Sequence, residues 1–177
     1  MKRAMQVSLV VLCALVAATA SAQLARKSGD WSVDYIDGGI QMAGTENASG
    51  NAFGVICLTT ASGCFSFISL SDTTCTKGNT VPLLMNSAVG AKSMQATCTI
   101  IDAKPPMHLM FLDDFEGAIS AIESGGEVAF AFPLKSGKFE VYRFSTKGAV
   151  SAVREARTPP TSRDAVPVRG GPKNQIL

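Results

Sequence analysis

The sequence predicts a mainly β fold: an antiparallel β-sandwich or open barrel with one or two short helices, stapled by disulfides. Three observations carry this expectation. Short apolar runs separated by turn residues fill most of the chain, and seven or eight of them read as strands. A helical period shows at only two places, 113–126 and 147–156. Four cysteines, Cys57, Cys64, Cys75 and Cys98, lie among the strands, an even number that suits a disulfide framework. A chain of 177 residues suits one domain with a sizeable core. With 46% hydrophobic and 17% charged residues, it is neither a disordered chain nor a coiled coil.

The first 22 residues read as a secretory signal peptide outside the fold. Lys2 and Arg3 precede an apolar run over 7–20, and Ala20-Ser21-Ala22 has the small-x-small form that a signal peptidase reads. The run is shorter than the roughly 20 apolar residues a transmembrane helix needs. Cys13 lies inside it, with Leu12 where a lipoprotein signal wants a small residue. Cleavage after Ala22 is therefore expected, leaving one β-rich domain over 23–156. The last segment, 157–177, holds Pro159-Pro160, Pro167, Gly170-Gly171 and Pro172 and reads as a Pro/Arg/Gly-rich tail without fixed structure.

The elements follow in order. Over 27–36, Trp31, Val33 and Tyr35 alternate as one strand with an apolar face, ended by Asp37-Gly38-Gly39. The stretch 42–51 is rich in Gly, Asn, Ser and Thr and reads as a loop. Runs at 52–58 and 65–70 flank a Ser62-Gly63 turn as a hairpin. Further strands are expected at 81–85, 94–101 and, after the break at Pro105-Pro106, at 107–112. Asp113-Asp114-Phe115-Glu116 then offers an acidic helix cap, with Glu116 three positions after Asp113 as in a capping box. Phe115, Ile119 and Ile122 share a helical face that Gly125-Gly126 stops. Strands at 127–134 and 138–144 turn about Ser136-Gly137 and make the clearest hairpin in the sequence. A short helix follows at 147–156, with Val150 and Val153 three apart.

Charge and motif content narrow the function. Of 16 Lys and Arg, Lys2 and Arg3 leave with the signal, so 14 face 14 Asp and Glu and the mature chain is neutral. That balance argues against a nucleic-acid binder. The disulfides expected are Cys57–Cys64 and Cys75–Cys98, the second closing the longer loop. No Cys-x-x-Cys occurs and the one histidine, His108, lies ten residues past Cys98, so neither zinc nor a redox dithiol is expected. No cofactor signature occurs: Walker, dinucleotide and EF-hand patterns are all missing.

A Ser-His-Asp triad would have to use His108, which stands at the edge of an apolar run, and no Gly-x-Ser-x-Gly elbow accompanies it. Asp113 and Asp114 form the only adjacent carboxylate pair and suit a helix start better than a glycosidase pair. Asp34, Asp37 and the Gly38-Gly39 turn fit a plain hairpin better than a loose calcium site. Asn47-Ala48-Ser49 matches the glycosylation pattern, but a leader this short is bacterial and chance explains the match. Trp31 and Tyr35 share a strand face that core packing explains. No catalytic or metal-ligating residue is assigned.

Two segments resemble a known family. Ser28-Gly29-Asp30-Trp31, soon after the predicted cleavage, is similar to the Gly-Asp-Trp entry strand of the invasion-associated locus B family of bacterial exported proteins. The hairpin ending in Phe144-Ser145-Thr146-Lys147-Gly148-Ala149-Val150-Ser151-Ala152-Val153 is similar to that family's last strand running through a Gly into a small helix. Cysteines spread through the β-rich middle complete the resemblance, which spans 29–153. The family's cysteine soon after the entry Trp, and its cysteine pair ahead of the late helix, have no counterpart here. Membership implies a β-sandwich in the periplasm or at the outer surface, with a role in host association or envelope function and no catalytic residues.

The sequence thus leads to an exported, non-enzymatic protein, periplasmic or secreted, that binds a protein or envelope component. The alternative is a periplasmic inhibitor or immunity protein that blocks a hydrolase such as lysozyme. Its binding loops would run from Thr59 to Gly63 and from Asp72 to Asn79, because a rigid loop loses little entropy on binding.

Overall fold

A computed structural model describes residues 26–36, 39–58, 63–71, 73–101 and 106–158 of the chain. The expected signal peptide and most of the expected tail lie outside the described residues. Among the described residues ten strands form one antiparallel sheet: β1 (Arg26–Ser28), β2 (Trp31–Ile36), β3 (Ile40–Glu46), β4 (Ala52–Leu58), β5 (Gly63–Ser69), β6 (Thr80–Ser87), β7 (Gly90–Ile101), β8 (Met107–Leu112), β9 (Glu127–Pro133) and β10 (Phe139–Ser145). Helix α1 (Phe115–Glu123) falls between β8 and β9, and α2 (Ala149–Ala156) follows β10. The strand order is β1-β2-β3-β4-β5-β8-β7-β6-β9-β10. The mainly β class, the two helices and the stapling agree with the expectation. Of the two architectures considered, the single curled sheet is the open barrel.

The inner face follows period-2 alternation. Trp31 and Val33 of β2, Phe53, Val55 and Cys57 of β4, Leu83 and Met85 of β6, and Val128, Phe130 and Phe132 of β9 all point into one core. Phe53 is its hub: its ring meets Trp31 at 5.9 Å, Phe130 at 4.9 Å and Phe144 at 5.7 Å between centroids. Rings from β2, β4, β9 and β10 meet only because the sheet curls. Both helices bury their apolar sides in this concavity: Ala118, Ile119, Ala121 and Ile122 from α1, and Ala149, Ala152, Val153 and Ala156 from α2. Small alanines let α2 lie close to the strands. Val150, three positions before the buried Val153, is 41% exposed.

Four expectations need correction. The stretch read as a loop at 42–51 contributes most of β3, whose inward positions are Gln41, Ala43 and Thr45. A polar, a tiny and a hydroxyl side chain hide the alternation that marks a half-buried strand. The single strand at 27–36 is two, broken at Gly29-Asp30, and with β3 this brings the count to ten. Strand β7 begins at Gly90, four residues earlier than expected, because it pairs along all of β6. Helix α2 begins at Ala149, since Lys147 and Gly148 are occupied by contacts with the β1–β2 turn.

The cap of α1 is also one residue later than the capping-box pattern placed it. Asp114 is the N-cap, its Oδ1 accepting from the Gly117 N–H at 3.0 Å. Asp113 is held by β7 instead: its N–H donates to the Gln95 carbonyl at 3.0 Å, and its Oδ1 accepts from the Gln95 N–H at 3.0 Å. Asp114 also pairs with Lys92 through Oδ2. The Lys92 ammonium and the Gly117 amide hold the Asp114 carboxyl below its ordinary range, against a smaller opposing effect of burial. A carboxyl depressed in the fold adds stability above its unfolded pKa and loses it as the pH falls through the folded one. Asp114→Ala should therefore cost about 1 kcal/mol at neutral pH. Urea titrations should show the difference narrowing as the pH drops below about 4.

Candidate functional site

The outer face of the sheet carries a second, smaller apolar cluster. Ile56, Phe67 and Leu109 are buried there, with Ile40, Met42, Ala52, Met107 and Phe111 packed around them. Phe65 of β5 stacks on Phe111 of β8 at 5.4 Å. Beside this cluster a groove of about 840 Å³ opens, a volume suited to a small ligand or a short segment of a larger one.

The groove is built from distant parts of the chain. Met42, Ala52, Phe67, Met107 and Leu109 give it an apolar lining. Thr73, Thr74 and His108 line it from the segment after β5 and from β8, and Asp30, Ser32 and Asp34 line it from the β1–β2 turn and β2. The arrangement offers hydroxyls and carboxylates beside apolar surface, which is equipment for recognition.

Two tethers fix the Thr73–Thr74 wall. Cys75 is bonded to Cys98 of β7, and the His108 ring Nδ1 lies 3.3 Å from the Cys75 carbonyl. The sole imidazole thus fastens a loop to the sheet. Further along, the Gly78 N–H donates to the Cys98 carbonyl at 2.9 Å and the Cys98 N–H to the Asn79 carbonyl at 2.8 Å. The other expected disulfide, Cys57–Cys64, also forms and joins residues directly opposite on β4 and β5.

Most residues singled out in the sequence are spent on the fold. Trp31 is buried and its indole N–H donates to the Ser145 carbonyl at 2.7 Å. The Tyr35 hydroxyl donates to Glu155 Oε1 at 3.4 Å. Asp113 and Asp114 serve the β7–α1 junction and neither lines the groove. Asn47 shapes the β3–β4 turn, its Oδ1 accepting from the Ser49 and Asn51 N–H groups at 3.0 and 3.1 Å. Asp34 lines the groove, while Asp37 and Gly38 lie outside the described residues. Among the described residues no three His, Cys, Asp or Glu side chains gather as for a metal.

The two candidate loops separate. Thr59 and Asp72 lie outside the described residues. Gly63 pairs with Leu58 at one end of the β4–β5 hairpin, while Ala52 and Ser69, paired at its other end, line the groove. Those ends are roughly 20 Å apart for strands of this length. The Asp72-to-Asn79 loop, by contrast, supplies Thr73 and Thr74 to the groove. Met42, Ala52, Phe67 and Met107 were not foreseen as site residues, since Met42 reads as part of a loop and the other three as ordinary strand residues.

Comparison with protein-family models, curated proteins and solved structures gives no match. Among the described residues no helix is long and apolar enough to cross a membrane.

The tethers should differ in weight. Loop entropy assigns about 3 kcal/mol to Cys75–Cys98, with a sequence separation of 23, and about 2 kcal/mol to Cys57–Cys64, with a separation of 7. Paired Cys→Ser variants, compared by chemical denaturation, should rank in that order. Only the Cys75→Ser/Cys98→Ser pair should also raise amide exchange at Thr73 and Thr74.

Proposed function

We propose that this chain is an exported, non-enzymatic binding protein of the bacterial envelope, with the groove beside Thr74 as its ligand site. The observation that carries the reading is the groove itself, whose loop wall is already fastened by Cys75–Cys98 and His108. A wall fixed before binding loses little conformational entropy when the ligand arrives. Two disulfides suit an oxidising compartment, the periplasm or the exterior. His108, Asp113 and Asp114, the side chains best suited to acid–base chemistry, are committed to the loop, the β7 edge and the helix cap. The resemblance to the invasion-associated locus B family points the same way, towards host association or envelope function.

Site-specific photo-cross-linking in producing bacteria tests this. A photoreactive residue at Thr74 should give a discrete adduct with an envelope protein or glycan, and one at Glu116 on the exposed side of α1 should not. Adducts equal at both positions, or a chain left in the cytoplasm with free thiols, would overturn the reading. An adduct with a periplasmic hydrolase would replace it with the inhibitor alternative.

A further inference from the structure

The β9–β10 hairpin presents a feature that neither the core nor the groove uses. Its alternation sends Tyr142 and Phe144 inward and leaves Phe139 and Val141 on the outer face, 56% and 47% exposed. Val141 stands opposite Ala131 of β9, and Ala131 stands opposite Leu84 of β6, which is 43% exposed. Phe139 stands opposite Pro133, itself exposed. Leu134, 43% exposed, stands opposite Lys138 at the turn, in the row of Phe132. Three of the seven large hydrophobics that are most exposed among the described residues, Leu84, Phe139 and Val141, therefore share this outer face. A contiguous apolar patch of this kind marks an interaction surface.

The turn beside it is net positive. The tight turn, closed by Leu134 N–H to the Lys138 carbonyl at 2.8 Å and Gly137 N–H to the Leu134 carbonyl at 2.9 Å, carries Lys135 and Lys138. Glu140, the one carboxylate between Pro133 and Val141, stands with Lys138 in the row of Tyr142 and Phe144, and with Lys135 the turn keeps a net positive charge. Arg143 on the outer face is neutralised by Glu127 at 2.7 Å. The tip thus combines Leu, Phe and Val side chains with two lysines whose stems can lie along apolar material while their ammonium groups stay in water.

We propose that the β9–β10 hairpin docks on an anionic lipid bilayer, with Leu134, Phe139 and Val141 entering the headgroup region and Lys135 and Lys138 meeting the phosphates. Shared apolar insertion and basic contact is how proteins rest on membranes without spanning them. A second copy of the chain is the poorer occupant, because facing hairpins would bring the lysines of one tip towards those of the other. The surface is separate from the groove, so the two proposals stand or fall independently.

The oxidised protein should co-sediment with vesicles of phosphatidylglycerol and phosphatidylcholine, less with phosphatidylcholine alone, and less as salt rises. Lys135→Glu/Lys138→Glu should weaken binding at least 25-fold, about fivefold or more for each lysine. Phe139→Ser should weaken it about tenfold or more. Val141→Thr, milder and β-favouring, serves as a second apolar variant, and thermal melts of all variants should match the parent. Equal binding to anionic and neutral vesicles, or undiminished binding by Phe139→Ser and Val141→Thr, would overturn the proposal. So would a concentration-dependent dimer abolished by Phe139→Ser in a protein that ignores vesicles.

Discussion

Two backbone segments 114 residues or more apart meet where the curled sheet comes together. The Asp30 N–H donates to the Lys147 carbonyl at 2.9 Å, the Ser145 hydroxyl donates to Asp30 Oδ2 at 2.7 Å, and the Trp31 indole donates to the Ser145 carbonyl at 2.7 Å. The Thr45 hydroxyl, on the neighbouring strand, donates to the Asp30 carbonyl at 3.0 Å. Contact is closest at Gly148, where a Cβ would stand 1.7 Å from the Ser28 carbonyl oxygen. Gly148 also holds φ at +87°, a conformation that glycine adopts without penalty. The junction joins the β1–β2 turn to the end of β10, so strands at opposite edges of the sheet are tied across its concave side.

Much of the architecture depends on that tie. Curling brings Phe53 within reach of Phe130 and Phe144, which gives the interior its aromatic centre. It also sets the start of α2, whose Glu155 then reaches Arg26 at 2.9 Å and the Tyr35 hydroxyl. The groove adjoins the same junction, since Gly29 and Asp30 line it. The two segments that carry the family resemblance, 28–31 and 144–153, are the two that meet here. Their spacing in the sequence hides the contact, and each looks like an isolated turn.

What the sequence made legible follows local physics. Alternation at 52–58, 107–112 and in the β9–β10 hairpin is local, and those strands stand close to where it places them. The cysteine pairing was legible because Cys57 and Cys64 flank one short turn and leave Cys75 for Cys98. Strand β3 was not, because Gln41, buried without a partner for its amide, and Thr45 hold inward positions where an apolar pattern was sought. The cap at Asp114 was not, because nothing local says that Gln95 claims Asp113. The groove was least legible, as its lining runs from Lys27 to Leu109 and depends on the β5–β8 pairing. The exposure of Phe139 and Val141 was half legible: alternation showed two faces, and only the fold showed which one is bare.

The most direct test of the closure compares two glycines with similar backbone angles. Gly137 turns the β9–β10 hairpin at φ +78° and a Cβ there meets nothing within 4 Å, whereas at Gly148 it meets the Ser28 backbone. Substituting alanine at Gly137 should cost only the left-handed backbone penalty, about 1–2 kcal/mol. Alanine at Gly148 should cost clearly more, lowering the unfolding free energy of the whole domain in one cooperative denaturant transition. Equal losses at the two positions, or a separate melting of α2 with the sheet unaffected, would contradict the account.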